Sequence, residues 1–144
     1  MLNNIIMQPF LIKKQKVKVT CILRQGKQIL LLRSNQVTNP EHQPREGYFG
    51  IPCFTVSFGE DPSTTIQNYL FDYFEQPVEN LRVIDIRQYI TNRNATQIFE
   101  IIYTADSIKR AKTKEQYGKF LFVSEDELDA YMFEEERKYL RKYL

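Results

Sequence analysis

The chain is poor in the residues that most often announce chemistry. Its 144 residues include two cysteines and one histidine. Cys21 and Cys53 show no Cys-x-x-Cys spacing, and His42 is the one soft donor that could join them, so neither a zinc site nor a disulfide framework has support. Both thiols are expected to be reduced and in or near the core. A Ser or Cys triad has no basis either, because His42 stands alone in a loop. Charge of one sign is not in excess: 20 Lys and Arg against 18 Asp and Glu leave a net charge of +2, too little to attract nucleic acid or an anionic membrane over distance. The basic clusters Lys13-Lys14-Gln15-Lys16 and Lys109-Arg110-Ala111-Lys112 lack interleaved aromatics, so nucleic acid is not an expected partner. A long apolar run is missing as well. Ile5 to Ile12 is short, contains Pro9 and is followed by Lys13-Lys14, the reverse of a signal peptide's charge order. A cytoplasmic protein with no membrane partner is expected.

What is present suits a packed core. At 42% hydrophobic and 13% aromatic residues, 1–144 is read as one globular domain. Val17, Val19, Cys21 and Leu23 alternate with polar or opposite-facing positions, Gln25-Gly26-Lys27 offers a turn, and Ile29 to Leu32 follows, which predicts a β-hairpin. Residues 34–47 hold Asn35, Asn39, Pro40, Pro44 and Gly47 without periodicity and are predicted as a surface loop. Phe49 to Phe58 alternates with a change of phase near Pro52, predicting strand with a bend. Asp61-Pro62 is a strong helix start, because the Asp side chain can cap free amides and Pro loses nothing at the first helical position. That helix is predicted to run to about Gln76, with Ile66, Tyr69, Leu70, Tyr73 and Phe74 on its apolar face, and to stop at Pro77. Arg82–Ile90 and Gln97–Thr104 are predicted to pair as a hairpin. Phe120–Val123 reads as a last strand, and Ser124 with Glu127 forms a capping box opening a final helix that buries Leu128, Tyr131, Met132, Tyr139 and Tyr143. The sum is an α/β (α+β) domain: a mixed sheet with helices packed on its faces.

Some of these segments are similar to a known family. Gly47-Tyr48-Phe49-Gly50-Ile51-Pro52 resembles the lead-in to the Nudix box of the MutT-like hydrolases, and Val56, Gly59, Glu60 and Pro62 look like that box's strand, Gly-Glu corner and helix start. Phe120 to Leu128 is similar to the late aromatic strand and acidic helix start of the same family. The resemblance spans about Lys16 to Leu128 in order. It implies a Nudix-like fold and hydrolysis of nucleoside diphosphate-linked compounds with Mg²⁺ or Mn²⁺ held by helix glutamates. The box itself, however, is degenerate. With Gly59-Glu60 as anchor, its first Gly falls on Phe54, its Arg-Glu pair on Asn68-Tyr69, its aliphatic position on Leu70, its Glu-Glu pair on Asp72-Tyr73 and its closing Gly on Glu75. Mg²⁺ is a hard cation that needs oxygen ligands, and a neutral phenol replaces a carboxylate poorly. Positions three and four apart share a helix face, so Tyr69, Asp72 and Tyr73 stand where the family presents three acids.

The expected function is therefore a nucleotide-like small-molecule binding or interaction module without hydrolysis, with no catalytic residue and no resident cofactor assigned. Arg33 and Arg45 can offer planar guanidinium groups to phosphate oxygens, and Tyr69 and Tyr73 can stack on a planar ligand. A cleft is expected between the 34–47 loop and the Tyr69/Tyr73 helix face. The alternative is a metal-dependent hydrolase with relocated ligands, for which Glu60, Asp72 and Glu115, with Glu75, are the metal candidates. A third reading, an α/β domain only coincidentally similar, would show a different strand order. A homodimer is left open.

Overall fold

The structure, a computed structural model, describes residues 14–33, 49–74, 78–91, 95–108 and 120–144. β1 (Lys14–Gln25) turns at Gly26 into β2 (Gln28–Arg33), and the turn needs the positive φ of 60° that glycine adopts without strain. The expected strand between Phe49 and Phe58 is two short pieces, β3 (Phe49–Gly50) and β4 (Cys53–Thr55), interrupted at Ile51-Pro52. Proline cannot donate to a ladder, so the break falls where the sequence puts it. The hairpin of β5 (Val78–Thr91) and β6 (Thr96–Ser107) is longer at both ends than expected. β7 (Phe120–Ser124) closes the sheet.

The sheet is mixed. Its order is β3-β2-β1-β6-β5, with β4 also on β1 and β7 also on β2. β1 and β6 run parallel from Lys14↔Thr96 to Arg24↔Asp106, while the other pairs are antiparallel. Alternation along β1 divides two cores. Val19, Cys21 and Leu23 join Leu30, Tyr103, Ala105 and Phe120 under helix α1 (Pro62–Phe74), which contributes the fully buried Ile66 and Leu70. Ile22 turns to the opposite face, with Ile29, Leu31, Ile102 and Val123, beneath the C-terminal helical segment.

Helix α1 begins as its sequence dictates: the Asp61 carboxylate accepts from the Thr64 amide at 2.9 Å and from the Ser63 hydroxyl at 2.6 Å. These donors hold the Asp61 carboxyl below its usual range. The helix is described to Phe74; 75–77, where its end was expected, lie outside the described residues.

The final helix differs from its expectation. The capping box is present, with Ser124 donating its amide and hydroxyl to Glu127 at 3.1 and 2.6 Å, but it opens a single 3₁₀ turn at Glu125–Glu127. A short α2 (Leu128–Tyr131) follows, then extended backbone at Met132 and Phe133, then α3 (Glu134–Arg141). One unbroken helix would align Leu128, Met132 and Glu136 on a single stripe and set a carboxylate against the core. The break lets Leu128, Met132 and Leu140 all reach full burial. It is bridged by Arg137, which donates to the Met132 carbonyl at 2.6 Å, and by Arg141, 2.9 Å from the Asp129 carboxylate. Tyr131, Tyr139 and Tyr143 are partly rather than fully buried. Among the described residues no helix is long and apolar enough to cross a membrane.

Candidate functional site

Two hollows flank β4, and the residues singled out above divide between them. The first lies at the start of α1, has a volume of about 430 Å³ and is lined by Glu60, Asp61, Thr64, Thr65, Asn68, Tyr69 and Asp72. Glu60 and Asp72, both metal candidates, therefore share a wall. Glu60 accepts from the Thr65 hydroxyl at 2.9 Å, which adds a second acid to the helix start, where the backbone dipole favours negative charge. Tyr69 is 36% exposed and stacks on Phe54 with ring centroids 4.2 Å apart and planes 3° apart, so one of its faces is already occupied. Among the described residues no group of three His, Cys, Asp or Glu side chains is placed to hold a metal ion. Tyr73 lies in the described helix backbone, but its side chain, and Arg45, Glu75, Glu115 and the 34–47 loop, are outside the described residues.

The second hollow is larger, about 540 Å³, and lies on the opposite face of the sheet, over β1, β5 and β6 and against α3. Its floor is a buried carboxylate. Glu100, 3% exposed, accepts from the Thr20 hydroxyl at 2.6 Å, from the Arg87 Nε at 2.5 Å and, at 3.4 Å, from the Tyr139 hydroxyl. A carboxylate this deep needs several donors, and it draws them from three elements. Burial alone would lower the Arg87 pKa, but its hydrogen bond and charge pairing with Glu100 outweigh that and raise it. The same guanidinium lies 3.6 Å from the Tyr139 ring centroid and 4.8 Å from that of Tyr89. Burial raises the pKa of both phenols, so both stay neutral, and Tyr139 keeps the proton it donates to Glu100.

Charges of both signs ring the opening. Lys18 and Arg33 bring positive charge, and Glu136 of α3 brings a carboxylate. Gly50 matters here: a Cβ at this position would come within 3.3 Å of the Glu136 carboxylate oxygen. Desolvation raises the Glu136 pKa although the residue as a whole is exposed, because its carboxyl end lies over the wall rather than in open water.

Cys53 is not a core thiol like Cys21, although desolvation at its end of the hollow raises its pKa too. β4 sends Phe54 toward α1 and leaves Cys53 exposed along this second hollow, while Cys21 is buried and its thiol is pushed up to about 12 by desolvation. Of the residues proposed from sequence to meet a ligand, Arg33 lies in this larger hollow and Tyr69 in the smaller one, so the structure does not bring the two together. Sequence reasoning missed Glu100, Arg87, Tyr89 and Tyr139. Glu100 did carry a signal: a lone acid inside Ile98-Phe99-Glu100-Ile101-Ile102 must be paired if that strand is buried on both faces.

This arrangement of sheet and helices recurs in solved structures. A MutT Nudix hydrolase from Burkholderia pseudomallei superposes with a TM-score of 0.66, over 91% of this chain and 99% of that one, at 15% identity. A Nudix hydrolase from Nitrosomonas europaea superposes at 0.64, over 90% and 88%, at 14% identity. The mutator MutT protein from Bacillus halodurans gives 0.60, over 88% and 80%, at 18% identity. The fold is the Nudix fold. The coincidental-likeness reading is thereby removed. The sequence matches no family profile and no curated protein, so the Nudix likeness is one of backbone course, and the side chains must speak for the chemistry.

Proposed function

We propose that this Nudix-fold chain binds a nucleotide-like small molecule in the larger hollow, between the sheet and α3, and does not hydrolyse it. The observation that carries the reading is the composition of that hollow: Lys18, Arg33 and Arg87 beside the rings of Tyr89, Phe133 and Tyr139, around about 540 Å³. Guanidinium and ammonium groups suit phosphate oxygens, aromatic rings suit a planar base, and the volume lies within the range of small-molecule sites. Glu100 is arranged to hold Arg87 and the Tyr139 ring in place, so the polar floor is set before a ligand arrives.

The Nudix fold also implies a divalent metal, and the residues near α1 do not fit one. An Mg²⁺ ion wants an octahedral set of oxygens supplied by converging carboxylates. Here Asn68 and Tyr69 stand at two acidic or basic positions of the box, and no three potential ligands converge among the described residues. One oxygen of Glu60 accepts from Thr65 and one oxygen of Asp61 accepts from Ser63 and Thr64, so these two carboxylates serve the helix start.

Calorimetric titration of the full chain with nucleoside mono-, di- and triphosphates tests the proposal, alongside a product assay with Mg²⁺ and Mn²⁺. Saturable binding that needs no added metal, without turnover, is the expected result. Turnover that Asp72→Asn abolishes would show a working metal site and overturn it.

A further inference from the structure

β5 lies at the end of the strand order. It pairs with β6 along one side, and among the described residues no strand pairs with its other side. Its two halves differ. The register with β6 slips between Glu79 and Arg82 and again between Val83 and Asp85, and Asn80 sits at a φ of 55°. Irregularities of this kind twist an edge and spoil it as a template for another strand. From Asp85 to Thr91 the ladder is unbroken. This regular half carries Ile86 and Ile90 on one face at 62% and 64% exposure, beside Ile101 and Gln97 of β6. Exposed isoleucines on a regular edge are what folded chains normally suppress with charge, proline or a bulge; here the Ile86 amide donates to the Asp85 carboxylate at 2.8 Å, a bond that a paired strand would replace.

We propose that residues 85–91 of β5 pair antiparallel with the same segment of a second copy of the chain, continuing the sheet across a two-fold axis at Gln88. The segment is self-complementary about that residue. Full-length pairing sets Ile86 opposite Ile90, Arg87 opposite Tyr89 and Asp85 opposite Thr91 of the second copy, so both isoleucines of each chain gain an apolar neighbour and no like charges meet. Arg87 already lies over the Tyr89 ring of its own chain, and it would meet a second such ring across the axis. Shifting the axis to Arg87 opposes two guanidinium groups and sets Ile86 against Gln88. Shifting it to Ile86 sets Ile90 against Arg82, beyond the bulge. Pairing of one short segment covers less than the roughly 800 Å² per partner of a standard interface, so association is expected in the micromolar range.

Sedimentation velocity of the full chain from low to high micromolar concentration tests this. The unmodified chain is expected to pass from monomer to dimer, and Ile86→Lys is expected to raise the dissociation constant at least tenfold with an unchanged melting curve, since the side chain it replaces is exposed. Gln88→Cys gives a second readout. Its thiol would face its own copy at a distance a disulfide can span, so mild oxidation should yield a covalent dimer that the parent chain, with exposed Cys53, does not form. A chain that remains monomeric throughout overturns the proposal. So does a dimer that survives Ile86→Lys and gives no Gln88 cross-link, because it would use another surface.

Discussion

The two hollows are built from hydrogen bonds of different reach. Beside α1, the partners are local: Asp61 is satisfied by residues two and three positions on, and Glu60 by one five positions on. In the larger hollow Glu100 is satisfied by Arg87, Tyr139 and Thr20, at separations of 13, 39 and 80 residues. Local bonds secure the element that contains them. Bonds between distant segments fix where those segments stand relative to one another, which is what a binding site requires. On the proposed reading, the acids Glu60 and Asp61 serve the start of α1, and the acid under Arg87 serves the binding site.

Several substitutions would break or sharpen that contrast. Arg87→Met has the largest expected effect, because it leaves the buried Glu100 carboxylate without its cation: a loss of about 3 kcal/mol in urea unfolding, largely recovered when Glu100→Leu is added. A loss below about 1 kcal/mol would mean the pair is an ordinary surface bridge. Arg33→Ala should weaken nucleotide binding about tenfold, near 1.4 kcal/mol, with no change in melting temperature, since Arg33 is exposed at the rim.

A pH titration of binding comes next. The folded-state pKa of Glu136 is raised by desolvation, so the folded chain holds this proton more tightly than the unfolded one. The stability it contributes is complete below the unfolded carboxyl pKa and is lost as pH rises through the raised value. An anionic ligand should bind more tightly as pH falls through that same interval, and Glu136→Gln should flatten the profile. Asp72→Asn is expected to do least, leaving both affinity and melting temperature unchanged; a clear loss of affinity would move the site to the other hollow.

The reach of these bonds also explains what could be read from the sequence. The β1–β2 hairpin, the Asp61-Pro62 helix start and the Ser124–Glu127 box were legible because each is encoded within a few residues. The mixed sheet was legible through alternation and through resemblance. The broken C-terminal segment was not, since no proline or glycine marks Met132-Phe133 and the reason for the break lies in the depths that Met132 and Leu140 must reach. Arg33 could be named as a phosphate candidate from its place at a strand end. Arg87, Tyr89 and Tyr139 could not, because only the β5–β6 register and the return of α3 bring them to Glu100.

The parallel pairing of β1 with β6 has a consequence in time. Closing a loop of some eighty residues spends chain entropy before any rung of that ladder repays it. The two hairpins and α1 need no such closure, so they can take shape while the rest of the chain is still searching. During synthesis Thr20 leaves the ribosome long before Glu100 exists, and its hydroxyl waits in water for most of that interval. The floor of the pocket is thus among the last parts of the molecule to be made, and a chain stalled before β6 has hairpin and helix but lacks the floor of the proposed ligand site.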